Sequence, residues 1–257
     1  MYAGFNCIFD SFDLPDTSDA YKTVYRGYQS QIRDKIDSFI RASGALDASK
    51  MTANWFPAVK ADIFISHAHK DAAEAIKVAS WLKDTFGLNS FIDSCVWGYG
   101  DRLLKLIDDA FCKNSYNENY SYDLRNRSTS HVHMMLSTAL AKMLDKTECV
   151  LFLNTPNSIT LPDTIEQATT SPWIYSEIAM TSLIRRKSPD EHRMKLTKAA
   201  RFLETMAMME YQVDLRHLTP LTLENLVSWK QKAHKPRKWG PDALDVMYEI
   251  IWGVNGR

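Results

Sequence analysis

The 257-residue chain carries 31 basic and 31 acidic side chains, with 45% apolar and 24% charged residues. That length suits one large α/β domain or a domain with a helical extension, and the composition excludes a disordered or fibrous chain. Zero net charge removes any global field toward nucleic acid or an anionic membrane, so neither is an expected partner.

The N-terminus, Met1-Tyr2-Ala3-Gly4-Phe5-Asn6, lacks the basic and apolar regions of a signal peptide. No run of about 18 uncharged apolar residues occurs that would span a membrane. Cys7, Cys95, Cys112 and Cys149 form no C-x-x-C pair and are too sparse for a disulfide-stapled domain. A soluble protein of the reducing cytoplasm is expected.

From residue 19 to 43, Tyr21, Val24, Tyr25, Tyr28, Ile32, Ile36, Phe39 and Ile40 recur at helical spacing, with Ser18 or Asp19 as cap and Gly44 as stop. This predicts an amphipathic helix in an N-terminal extension, 1–57. The α/β domain is expected over 58–257. Its first strand is the apolar run Asp62-Ile63-Phe64-Ile65-Ser66, which suits a buried parallel strand. Helical periodicity follows from Asp71 to Gly87, and Asn89 to Asp93 reads as a second strand.

Residues 113–130 are rich in Asn, Tyr and Ser without periodicity and read as an inserted loop. His131–Leu144 then reads as a helix, Glu148–Leu153 as a buried strand and Ser171–Lys187 as a helix. In the tail, Lys195–Tyr211, Leu221–Trp229 and Ala243–Trp252 are predicted helices and Gln212–Leu215 a strand. Strands alternating with helices imply a parallel sheet flanked by helices.

In such a sheet, ligands sit at the carboxyl ends of the strands. The residues just beyond each run are therefore candidates: Ser66-His67-Ala68-His69, Ser94-Cys95-Val96-Trp97 and Asn154-Thr155. The pairs His67/His69 and His131/His133 do not predict a metal site, because no carboxylate stands at the spacing of a zinc motif. Lys230, Lys232, Lys235, Arg237 and Lys238 read as a solvated basic loop, and Cys95 lacks the histidine and carboxylate of an activated nucleophile.

Three segments together resemble the TIR domain family. Phe64-Ile65-Ser66-His67 with Lys70-Asp71 is similar to its first strand and loop. Phe91-Ile92-Asp93 with Trp97–Leu104 is similar to its second strand and BB loop. Ser171-Pro172-Trp173-Ile174-Tyr175-Ser176-Glu177 is similar to the helix in which a tryptophan precedes a glutamate by four residues. The resemblance covers residues 60–187 and implies a flavodoxin-like α/β fold.

In NAD-cleaving members of this family the glutamate is catalytic, so the resemblance implies that role for Glu177. A carboxylate there favours the oxocarbenium character that the ribose gains as nicotinamide leaves. Phe64, Ser66, His67, Trp97, Tyr99 and Trp173 are the implied substrate-binding residues. NAD would be substrate and not a retained cofactor: Gly98-x-Gly100 is no dinucleotide fingerprint, since Leu103 stands where a third glycine belongs. The product would be ADP-ribose or a cyclic isomer.

A stand-alone TIR domain is similar to bacterial antiphage proteins of the Thoeris type, whose product signals to a separate effector. The resemblance further implies a homo-oligomer in which one BB loop completes a neighbour's site. Two alternatives belong to other classes: a non-enzymatic TIR interaction module, and a nucleoside deoxyribosyltransferase, an α/β fold that also sets a glutamate at an anomeric carbon.

Overall fold

A computed structural model describes residues 1–10, 13–15, 36–44, 46–92, 100–114, 119–159, 168–169, 171–193, 211–212, 214–234 and 238–253. Its centre is a five-stranded, all-parallel sheet built from β1 (Ala3–Ile8), β2 (Ile63–Ser66), β3 (Ser90–Ile92), β4 (Cys149–Leu153) and β7 (Thr219–Thr222). The strand order is β3-β2-β4-β1-β7, which is compatible with a flavodoxin-like sheet. A separate antiparallel pair joins β5 (Ala168–Thr169) to β6 (Tyr211–Gln212).

Side chains alternate across the sheet as strand pleating requires. Phe5, Ile63, Ile65, Cys149 and Leu151 face one layer, formed by α2 (Ala72–Phe86), α7 (Leu223–His234) and α8 (Pro241–Trp252). Phe64, Phe91 and Val150 face the other, where α1 (Ala48–Trp55), α3 (Gly100–Phe111) and α4 (Tyr122–Lys146) pack. At one end of that second face, Phe152 meets Ile174 and Ile178 of α5 (Pro172–Leu183). A short α6 (Pro189–Arg193) follows.

The covering of both faces explains why the central strands are continuous apolar runs. On the first face Phe86 stacks on Trp229 at 3.9 Å, and Trp81 meets both rings edge-on. The α2 helix ends at Gly87, whose φ of 72° is left-handed and whose N–H bonds to Lys83 O at 2.9 Å, as the sequence predicts for a glycine stop.

The predicted strands at 62–66, 89–93 and 148–153 correspond to β2, β3 and β4, and the predicted helices at 71–87 and 171–187 to α2 and α5. Four expectations change. The boundary near residue 58 does not separate an extension from the sheet. Residues 3–8 form β1, which pairs with β4 on one side and β7 on the other. Ala-Gly-Phe-Asn-Cys-Ile has little intrinsic strand character; it is held by hydrogen bonding along both edges and by burial of all but Ile8.

The predicted 19–43 helix lies outside the described residues up to residue 35. Beyond that, Ile36–Phe39 is one 3-10 turn and Ile40 bridges to Leu46 around a turn at Gly44, so no helix runs there. The supposed 113–130 loop is helical from Tyr122. Residues 122–127 are solvent-exposed and carry no apolar stripe, so periodicity is silent; the helix starts because the Ser121 side chain accepts the N–H of Leu124.

In the tail, Leu221 and Thr222 extend β7, α7 begins only at Leu223, and of the strand expected at 212–215 the described residues show Gln212 paired in β6 and Asp214 and Leu215 outside any strand. The helix expected at 243–252 is α8, one turn's fraction longer at its start. The helix expected at 195–211 lies outside the described residues up to residue 210. Among the described residues no helix is long and apolar enough to cross a membrane.

Candidate active site at the carboxyl edge of the sheet

The path from β2 through α2 to β3 crosses the first face, and the path from β3 through α3 and α4 to β4 crosses the second. Right-handed crossovers on opposite faces send the chain to opposite sides of β2. The carboxyl ends of β2 and β4 therefore flank a crevice at a topological switch point, where open α/β sheets bind ligands.

Ser66 closes β2 and shares a sheet face with Phe64. On that face α5 is positioned by its own N-terminal chemistry. The Ser171 hydroxyl oxygen accepts the Ile174 N–H at 3.3 Å, and Pro172 stands at the first helical position, where its missing N–H costs nothing. Glu177, one turn further in, reaches the crevice and is only 2% exposed. The Ser66 hydroxyl donates to Glu177 Oε2 in a short hydrogen bond between two buried side chains.

Trp173 lies one helical turn before Glu177, half-buried, with its ring edge-on to His133 of α4 at 5.6 Å. His67 follows Ser66 and is buried. Phe64 is fully buried and packs on Phe91 at 5.3 Å, so it is a floor beneath Ser66 and not an exposed wall. Ser66, Glu177 and Trp173 are thus gathered at one edge. Trp97 and Tyr99 lie outside the described residues.

A second polar cluster joins the loops that follow β2 and β4. Asp71, 3% exposed, accepts from Thr155 Oγ1 at 2.5 Å and from Asn157 Nδ2 at 2.6 Å. Ser158 closes the same loop, donating to Leu153 O at 2.9 Å while accepting the Thr155 N–H at 2.8 Å. The carboxylate therefore ties the loop after β2 to the loop after β4. Sequence reasoning singled out Thr155 by its place after a strand, but not Asp71 or Asn157 as its partners; strand-end position was the one signal that pointed here.

One turn beyond Glu177, buried Thr181 donates to Ile178 O at 2.7 Å, which leaves its oxygen to accept from His217 Nε2 at 2.8 Å. Burial holds the His217 imidazole below its ordinary pKa, in keeping with a neutral ring. This bond anchors α5 from below Glu177. Among the described residues no three His, Cys, Asp or Glu side chains stand together as a metal site would need.

No protein-family model matches the chain, and neither a curated protein nor a solved structure does.

Proposed function

We propose that the protein is a TIR-like enzyme that cleaves the nicotinamide-ribose bond of NAD, using Glu177 as its catalytic carboxylate. The observation that supports this reading is the buried Ser66–Glu177 hydrogen bond at the switch-point crevice. A carboxylate held in a shielded site stabilises positive charge far better than one in water.

As the C1′–N bond breaks, its electron pair leaves with nicotinamide and the ribose gains oxocarbenium character. The Glu177 carboxylate then faces the developing charge or holds the ribose hydroxyls. Trp173 offers an aromatic face to a ring of the substrate. Water attacking C1′ and losing a proton yields ADP-ribose; a nucleophile of the same molecule yields a cyclic isomer. Trp97 and Tyr99 of the BB loop complete the pocket in this reading, and the active form is a homo-oligomer. The product serves as a signal to a separate effector in antiphage defence.

The depth of Glu177 favours a second reading. A glutamate bonded to a serine inside the fold also suits an interaction module, in which the pair only ties α5 to β2. Incubating concentrated protein with NAD and separating the products by mass distinguishes the two. Nicotinamide from wild type, and about a thousandfold less from Glu177→Gln, supports the enzyme. Equal turnover by both proteins rules out the assigned carboxylate, and intact NAD with wild type favours the module.

A further inference from the structure

The α4 helix is longer than the sheet it covers. Only Thr147 and Glu148 separate its last residue, Lys146, from the start of β4, so α4 runs back along the sheet from the edge where the strands begin. His133 lies thirteen residues before Lys146, roughly 20 Å along the helix axis at 1.5 Å per residue. The five residues of β4 rise about 17 Å in all. His133 therefore stands level with the carboxyl ends of the strands, beside the crevice, and the turns from Tyr122 to Val132 extend beyond the sheet.

That overhang is braced. Asp108 of α3 is 3% exposed, and its carboxylate accepts from the Ser128 hydroxyl and, at 2.9 Å, from Arg125 Nε. Leu136 Cδ2, one turn after His133, lies 3.7 Å from where a Cβ on Gly100, the first residue of α3, would stand. Val132 and Met135 are buried in the core of the second face. The backbone of α4 at residue 133 is thus fixed both to α3 and to the sheet.

His133 is half-buried and meets Trp173 of α5 edge-on, with ring centroids 5.6 Å apart and planes at 89°. In a perpendicular pair the edge of one ring points at the face of the other, an arrangement that the ring quadrupoles favour. Whichever ring presents its edge, His133 covers at most one face of the indole. A half-buried side chain at the second residue of a helix has several rotamers open to it, and a perpendicular partner on a separate, braced helix selects among them. Glu177 is one helical turn away on the same side of α5.

We infer that His133 is a positioning residue: it sets the tilt of the Trp173 indole, so that a flat ring of the substrate stacks there while the adjoining ribose meets Glu177. The role rests on the NAD reading of the same site.

NAD turnover by His133→Ala, His133→Phe and His133→Gln beside wild type tests it. Loss of the ring contact in His133→Ala is expected to raise KM roughly three- to tenfold with kcat within about twofold, since Trp173 acts on binding and Glu177 on bond cleavage. His133→Phe keeps a ring edge in place and is expected to restore KM; His133→Gln, polar without a ring, is not. The proton resonance of the Trp173 indole N–H, identified by its loss in Trp173→Phe, is expected to move toward the position of free tryptophan in His133→Ala and to stay dispersed in His133→Phe. An unmoved resonance or an unchanged KM in His133→Ala, or recovery by Gln and not by Phe, overturns the inference. Wild type leaving NAD intact is a separate outcome: the NAD reading fails and the substrate role with it, while the indole resonance still decides whether His133 holds the ring.

Discussion

Ser66, the last residue of β2, donates its hydroxyl hydrogen bond to the carboxylate of Glu177 on α5, 111 positions further along the chain. Both residues are buried, and the bond ties the Glu177 carboxylate on α5 to the end of β2. Replacing Ser66 by Ala leaves one oxygen of a buried carboxylate without this donor, a loss of roughly 1–3 kcal/mol in stability. In the enzymatic reading, kcat for NAD cleavage falls by about ten- to a hundredfold, while KM moves little, since Ser66 positions Glu177. Steady-state kinetics beside urea denaturation checks both numbers. Stability lost with kcat unchanged marks the bond as structural only.

The position of β1 at the heart of the sheet makes the first residues indispensable. Removing residues 1–57 strips Phe5 and its neighbours from one face, and Met51, Trp55 and Phe56 from the other. The chain 58–257 is expected to lose cooperative thermal unfolding, and Phe5→Ala alone to cost about 3–5 kcal/mol. A soluble 58–257 fragment with a sharp melting transition and native-like circular dichroism contradicts the pairing of β1 with β4 and β7.

Arg193 holds the buried Glu148 in a two-bond clasp, with Tyr248 donating to the same carboxylate at 3.3 Å. Burial pushes the Glu148 carboxyl up, and Arg193 acts against that shift. Arg193→Met leaves a buried charge without its cation, for which roughly 3 kcal/mol of destabilisation is expected. Adding Glu148→Gln to Arg193→Met recovers most of the loss. A double-mutant cycle with no coupling between the two positions refutes the clasp.

Two basic groups in the same region have lowered pKa values, both chiefly through burial: the Met1 amine at about 5 and the His192 imidazole at about 4. Their ordinary values are 8.0 and 6.5, so between pH 8 and 4 the unfolded chain binds protons that the folded protein refuses. These groups contribute fully above pH 8 and progressively less as pH falls. Glu148, whose pKa is raised, works in the opposite direction at the acid end. The melting temperature is expected to drop by a few degrees from pH 8 to pH 5, and His192→Gln to flatten the part of that drop below pH 6.5. Calorimetric scans at half-unit pH steps measure it; an identical slope in the variant excludes His192 as a contributor.

Much of the carboxyl-edge site was legible in the sequence. Ile63–Ser66 and Cys149–Leu153 are apolar runs bounded by polar residues, so their ends were visible, and Ser171-Pro172 announced a helix start that put Trp173 and Glu177 one turn apart. Local pattern suffices there because each element's burial is written in its own few residues.

Other features had no local signature. Residues 3–8 contain Gly4 and Asn6 and become a strand by lying between two others. The α4 start has no apolar stripe, because its first turns face solvent. Asp71 meets Thr155 and Asn157 across 84 and 86 positions, and the clasp on Glu148 unites Arg193 and Tyr248 from different elements.

The sequence by itself determined the alternating α/β character, the central strands and the face of α5 that carries Glu177, since these depend on hydrophobic periodicity and helix capping within a dozen residues. Only the tertiary structure decided that the N-terminal segment completes the sheet and that Ser66 and Glu177 bond inside it. Those outcomes depend on hydrogen bonds and burial between segments distant in sequence, and short-range pattern carries no record of which distant partner a residue will meet.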